Sequence, residues 1–374
     1  MLPPFLGPLN PLGYPAPYWF IQFFKVFGFT LHMALMNLWL AGLITMLLLR
    51  WRGGAHARRL SDRVINAMPF VVAFGINLGI VPLLFTQVAY YQVFYSATIL
   101  AAWPWFAVVP LLLVAYYGIY LYVIGLRQGT LTPLKRAAGW ISAGIFMLLG
   151  LIFSNTFSLM TNVGGWGALW NATSQTGAPY GIALNLGDPT LLPRVLLMFS
   201  LAITTTAAYV AVDTGLFAGG ESAEYKRWAM RFALILSVLG NVCVAAAASW
   251  YSFGTLSAEV RAVQLQMPLV ILTLLTGAGT GLPLLLILIG QRGIQRGLAI
   301  LVGLAQIGAL GLHATSRQIV QNLELAPYLQ LGAEPVNVQW SPLVLFLVLF
   351  VAGIGVIVWM VAQVVKAARQ PAAS

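Results

Sequence analysis

The chain of 374 residues is 60% hydrophobic and 7% charged, with a mean hydropathy of +0.89 and a formal net charge of +11. Soluble domains carry roughly 25% charged residues, so this composition excludes a soluble enzyme and describes a polytopic membrane protein in a single bundle. Cys243 is the one cysteine, and neither CxxC nor CxxCH occurs; this excludes a disulfide framework and covalent c-type haem in this chain and leaves no thiolate set for an iron–sulfur centre.

The first 22 residues, beginning MLPPFLGPLNPLGYPAPYWF, lack a basic n-region and are broken by prolines. They read as an extracytoplasmic, interfacial segment rather than a cleaved signal peptide, with Tyr18, Trp19 and Phe20 as its anchor. Apolar runs of about 20 residues read as spans, and nine follow, near 23–49, 68–94, 97–125, 139–162, 191–214, 229–250, 268–290, 298–315 and 342–365. The fold class is therefore an all-α integral membrane protein: a transmembrane helical bundle over 23–365, followed by a tail, 366–374.

The connections 50–67, 126–138, 215–228 and 291–297, with that tail and Arg231 just inside the next span, hold every Lys and Arg except Lys25, Arg194, Arg261 and Arg317. Positive-inside placement then puts the N-terminus outside and the C-terminus in the cytoplasm, in the inner (cytoplasmic) membrane. The charge is topological and implies no nucleic-acid partner. RWRGGAHARR reads as a cytoplasmic loop with His56 solvated. The long outer loops, 163–190 and 316–341, carry little enough charge to fold over the bundle or against a partner. No internal repeat stands out.

Few groups inside the membrane can carry chemistry. His32, in FGFTLHMALMNLWLAG, lies nine residues into its span, roughly 14 Å deep at 1.5 Å per residue. An imidazole there either bonds a neighbouring helix carbonyl or serves as a ligand. His313, in GALGLHATSRQIVQN, lies near the outer end of the eighth span. Two imidazoles at similar depth on different helices suit a haem held between helices, with both as axial ligands to the iron, whereas zinc wants more N or S ligands. Arg317, one turn after His313, either binds a haem propionate or snorkels to the headgroups. Arg194, at the start of the fifth span, has the same two readings. Asn77, Gln87 and Asn155 are intramembrane amides of the kind that bond helices together. The carboxylates Asp213 and Glu221 fall at the cytoplasmic edge and Asp188, Glu259, Glu324 and Glu334 outside, which leaves no obvious proton relay.

Several segments in order resemble subunit I of the cytochrome bd quinol oxidases, in a divergent, bd-like branch. FGINLGIVPLLFTQ resembles the second-span segment of that family, and LIFSNTFSLMTN resembles its ANSWMQ stretch, with Asn155 on the asparagine. LNLGDPTLLPRVLLM is similar to NPTAWPRFLHM, with Arg194 on the arginine, and HATSRQ to AEYGRQP, with Arg317 and Gln318 on its RQ. The resemblance implies haem b, one or two, with His32 at a ligand position and Arg317, Arg194, Gln318 and Asn155 around it. The chain also departs from the family. The histidine of PRFLHM falls on Leu197, with Met198 and Met267 as nearby thioethers, and the glutamate of AEYGRQ falls on Ala314, beside His313. The acids of the family's third span are absent, and its quinol loop is reduced to YSFGTLSAEVRAVQLQ.

Together these features describe a bd-like cytochrome b subunit of a respiratory complex. It would pass electrons between the quinone pool and other subunits, plausibly a periplasmic c-type cytochrome. Two alternatives stand beside it: a terminal quinol:oxygen oxidoreductase with rearranged haem ligands, and a haem-free membrane anchor whose histidines only bond helices. The missing acids and the short loop weigh against oxygen reduction.

Overall fold

The computed structural model describes residues 6–367. Residues 1–5 of the expected N-terminal segment lie outside them, as does the expected tail from 368 on, with Arg369. Among the described residues nine helices are long and apolar enough to cross a membrane, so the protein is a multi-pass helical bundle in a lipid bilayer.

The first span is α1 (Tyr18–Asn37), a π-helical turn over Leu38–Gly42, and α2 (Leu43–Arg52). Asn37 at the start of the π turn donates to Thr205 Oγ1 at 2.9 Å, a helix–helix bond buried from water. Only Gly53 and Gly54 separate α2 from α3 (Ala55–Ala89), the second span, which carries Pro69 and Pro82. A membrane helix tolerates such prolines where their surroundings compensate the lost ladder bond; one turn beyond Pro82, Thr86 Oγ1 donates back to the Pro82 carbonyl at 2.7 Å. A short α4 (Tyr91–Leu100) precedes the third span, α5 (Ala102–Arg127), and the fourth, α6 (Pro133–Thr161). Thr132 caps α6, accepting from the Lys135 amide, with Pro133 in the first turn.

The next connection folds as α7 (Trp166–Ala172) and a two-residue hairpin, β1 (Ser174–Gln175) against β2 (Ala178–Pro179), antiparallel with Ser174 opposite Pro179. The spans α8 (Leu191–Leu216) and α9 (Ala223–Ser249) pack along their length, and α9 ends in a π-helical turn, Trp250–Thr255. After α10 (Ala258–Gln264), the seventh span is built from α11 (Leu269–Gly279) and α12 (Gly281–Ile289). α13 (Arg296–Leu325) and α14 (Trp340–Ala367) complete the bundle.

Side-chain contacts define two ends. At the basic end Arg63 grips Asp213 through two bonds of 2.8 and 2.9 Å, Arg59 and Arg63 share Glu221, and Arg127 reaches Asn66. At the opposite end Tyr14 pairs with the 335–337 segment, Asn155 with Asn185, and Arg194 with Glu324. One apolar core fills the basic half around Leu43, Met46, Ile65 and Phe146, and a second fills the far end around Tyr90, Phe94 and Trp166. Between them lies a small cluster of Met33, Leu201, Val244 and Leu310. α14 stands at the rim, its apolar window wholly unburied, held by Phe346 and Phe350 against Phe24. Exposed residues such as Trp103, Phe106 and Leu274 form the lipid-facing surface.

The spans differ from the sequence reading at their edges. RWRGGAHARR is helical apart from its two glycines rather than a loop. His56 is half-buried, its ring 6.1 Å from Tyr225 and 6.2 Å from Trp228. Residues 18–22, expected before the first span, are already helical. The second span ends at Ala89, because the chain breaks at Tyr90 and restarts as α4. The eighth span runs on to Leu325, so the outer loop begins ten residues later than hydropathy suggests; paired polar residues in that last stretch hide its helix from a hydropathy reading.

Candidate functional site

α1 and α13 run antiparallel, and their polar contacts fix the register. Lys25 Nζ donates to Gln318 Oε1 at 2.6 Å and to Gln321 Oε1 at 3.2 Å. One turn deeper, Phe29 lies under the Arg317 guanidinium, 4.7 Å from Cζ to ring centroid. Deeper again, Thr30 is the neighbour of Gly311, and Met33 packs with Leu310. This register sets His32 level with His313. Counted from the helix ends the depths agree: fourteen residues from Tyr18 and twelve from Leu325, about 21 and 18 Å.

The two imidazoles share a level but no hydrogen bond or ring contact joins them. His32 turns toward α3, where its Nδ1 lies 2.8 Å from the Gly75 carbonyl oxygen. A ring nitrogen facing a carbonyl donates, so the neutral ring carries its proton on Nδ1 and keeps its lone pair on Nε2. The groove that admits the ring is made by Gly75 and Gly79, one turn apart. A Cβ at Gly79 would lie 2.7 Å from His32 Cε1, and one at Gly75 would lie 2.3 Å from Trp39. Trp39 in turn meets the imidazole edge-on, with centroids 5.9 Å apart.

His313 is buried on α13, and its Nε2 has no hydrogen-bond partner. Such an orphan costs on the order of 1–3 kcal/mol; it is one of several among the described residues, and the one that belongs to an imidazole. Arg317, beside it, lies over Phe29 and Phe157 and makes no hydrogen bond or ion pair among the described residues. Arg194 differs. It forms an ion pair with Glu324, bonds Thr161 Oγ1 at 3.4 Å and lies over Tyr251. Its charge is balanced within the protein.

The remaining candidates are structural in their contacts. Asn155 Oδ1 accepts the Asn185 amide at 2.7 Å, tying the 163–190 connection to α6. Gln318 accepts from Lys25 and donates to the Tyr90 hydroxyl at 2.5 Å and to Asn322 Oδ1 at 2.9 Å. Leu197, like Phe29, packs against the cluster of Met33, Leu201, Val244 and Leu310. The thioether of Met198 faces the Ser154 hydroxyl, while Met267 is 75% exposed. Among the described residues no three His, Cys, Asp or Glu side chains gather as a metal cage. The site offers the Nε2 lone pair of His32, the unpartnered Nε2 of His313, an unbalanced guanidinium and apolar neighbours.

Sequence reasoning passed over a polar network beside this site. Tyr90 donates to Asn322, accepts from Gln22 at 2.9 Å and from Gln318, and lies 3.3 Å from the Tyr18 hydroxyl. Lys25 Nζ sits 4.2 Å from the Tyr90 ring centroid. Lys25 interrupts the apolar run IQFFKVFGF just as His32 interrupts the next one, so the signal was there. Gly75 and Gly79 were legible too, as a small-xxx-small pattern within FGINLG.

The fold places the chain among nine-helix integral membrane bundles, with α1 packed against both α3 and α13. No family model matches the sequence, and no protein of curated function matches it either. In three dimensions it is similar to a chain of the bd oxidase from Geobacillus thermodenitrificans, with a TM-score of 0.66 over 96% of this chain and 100% of that one. The identity is 14%, so what is shared is the fold.

Proposed function

We propose that the protein is a membrane cytochrome b subunit of an electron-transfer complex, working between membrane quinone and a partner redox protein. The observation that carries this reading is the pairing of His32, its proton held on Nδ1 by Gly75, with the orphaned Nε2 of His313 at the same level. A b-type haem supplies a one-electron iron couple and brings four equatorial nitrogens of its own. The chain would then need to supply only imidazole ligands, a cation for a propionate and an apolar enclosure. His32, through Nε2, and His313 would be the residues that hold the haem iron. Arg317 is the cation without an anion. The Gly75 carbonyl fixes the His32 tautomer and raises the basicity of its free nitrogen, as partners of ligating histidines do. Phe29, Leu197 and Leu310 supply apolar packing around them.

The likeness to a bd oxidase chain supports the reading at the level of architecture. With the basic end placed in the cytoplasm by the positive-inside rule, the site would lie toward the outer face. The partner on that face would be a periplasmic c-type cytochrome, and the membrane in this reading is the cell's inner (cytoplasmic) one. A terminal oxidase is the second reading. The chain of polar groups from Tyr18 through Tyr90 to Gln318 and Lys25 favours it, because oxygen reduction consumes protons that such a path can deliver.

The test is a pyridine haemochrome assay and a reduced-minus-oxidised spectrum on the purified, membrane-extracted protein. A b-type spectrum that His32→Ala abolishes or shifts is the expected result. A protein that inserts and purifies without haem leaves the histidines as helix-bonding groups in an anchor subunit and overturns the proposal. Quinol-driven oxygen uptake separates the two haem readings: little or none is expected, and robust uptake lost in His32→Ala selects the oxidase.

A further inference from the structure

The basic end holds a cavity of about 620 Å³ that plays no part in the site above. α2, the start of α3, the end of α5 and the start of α6 enclose it. Its cationic wall is Arg50, Arg58 and Arg136; its aromatic wall is Trp51, Trp140 and Tyr122. Arg50 is paired with Asp62. The Arg136 guanidinium donates to the Leu131 carbonyl, at 3.1 Å, and to no carboxylate, and the Arg58 guanidinium has no hydrogen bond or ion pair among the described residues. Two guanidinium groups therefore face the cavity without a carboxylate between them. Arg58 and Arg136 are both exposed, so neither is held there by burial.

We propose that this cavity is a binding site for an anionic phospholipid, with the phosphodiester between Arg58 and Arg136 and the first acyl methylenes against Leu47, Leu131 and the tryptophans. Charge decides the headgroup: two unpaired guanidinium groups match a phosphate, and Arg offers it paired donors in a planar fork. Position decides between a lipid and a free anion. The cavity lies where the first four spans end, at headgroup level, and half its lining is apolar. Trp51 and Trp140, with ring centroids 6.5 Å apart, are placed as interfacial tryptophans are. Basic pockets between spans on the cytoplasmic side select anionic headgroups in this way. A free phosphate has no use for the apolar half.

The experiment is a native mass-spectrometry titration of the full chain in detergent, with phosphatidylglycerol, phosphatidylcholine and inorganic phosphate as probes. Phosphatidylglycerol is expected to bind at least tenfold more tightly than phosphatidylcholine, and millimolar phosphate to leave it in place. At about fivefold per cation, Arg58→Gln/Arg136→Gln should weaken phosphatidylglycerol roughly 25-fold. Arg58→Gln alone, which breaks no bond in the protein, should cost about fivefold, so the test survives misfolding of the double variant. Lys226→Gln/Arg292→Gln, at the same end but outside the cavity, should change nothing. Equal binding of the two lipids, displacement by inorganic phosphate, or an equal loss in the control variant overturns the proposal.

Discussion

Gly79 lies directly beneath the imidazole of His32, so close that a Cβ added there would fall 2.7 Å from Cε1 and 2.8 Å from Nδ1. In an ordinary helix Gly→Ala stabilises by about 1 kcal/mol. Here the methyl must push the ring or part α1 from α3, a clash of about 1–3 kcal/mol. Gly79→Ala is therefore expected to lower thermal stability and, where the protein carries haem, to shift its Soret band. A melting temperature at or above wild type would show that the ring is not seated in this groove.

His313→Leu separates ligand from filler. As a structural residue, the imidazole with its orphaned Nε2 is worse than an apolar side chain of similar volume, so the variant should be as stable as wild type or more so. As an axial ligand, its loss should remove a haem or shift its midpoint potential. Both effects together are the expected outcome. Unchanged haem content and potential would remove His313 from the ligand set.

Arg194 and Arg317 make a matched pair of tests, because only one has a counter-ion. Glu324→Gln strands Arg194 in a partly buried setting and should cost on the order of 3 kcal/mol in thermal or chemical denaturation. Arg317→Gln breaks no ion pair and should leave the haem-free protein nearly as stable as before, while weakening haem retention. Equal destabilisation by the two substitutions would mean that Arg317 has a partner within the protein.

The number of spans was legible in the sequence, because hydropathy runs are local signals; the distance of the histidines from their helix ends was not, since α1 begins at Tyr18 and α13 runs on to Leu325. The break at Tyr90 was not, since apolar residues flank it on both sides. The continuation of α13 past Arg317 was hidden for the opposite reason. Gln318, Gln321, Asn322 and Glu324 look like loop residues until Lys25, Tyr90 and Arg194 are brought to them from spans far away in sequence. The difference between Arg194 and Arg317 is of the same kind: both are arginines near the outer end of a span, and only the fold shows which one has met a carboxylate.

At the basic end the Arg59 guanidinium, bonded to Glu221, holds that carboxyl below its ordinary value of 4.5. A depressed folded-state pKa contributes stability that is fully present above the unfolded value and is lost as pH falls through the folded one. Arg59 is 57% exposed, so solvent screening limits the effect to about 1 kcal/mol or less at pH 7. Glu221→Gln should be less stable than wild type by that amount at neutral pH, and the difference should shrink below about pH 4.5. A difference that is constant from pH 7 to pH 3 would assign the loss to packing.

Topology is testable at two glycines where a side chain meets nothing within 4 Å and the backbone needs no rare conformation, Gly54 at the basic end and Gly187 at the opposite end. Gly165 is a poorer choice, since a Cβ there would come within 3 Å of the Asn162 amide. Both chosen positions are exposed, so a cysteine at either should react freely with a thiol reagent. The native Cys243 lies within α9 and is replaced by Ala in both variants to give a silent background. The concentration of Lys and Arg at the 54 end is the basis for placing that end in the cytoplasm, since moving that much positive charge across the bilayer is disfavoured during insertion. In intact cells an impermeant maleimide is therefore expected to label Gly187→Cys and to spare Gly54→Cys, which should react only after the membrane is opened. Labelling of Gly54→Cys from outside would invert the bundle, move the histidine level to the cytoplasmic half and remove a periplasmic cytochrome as the partner.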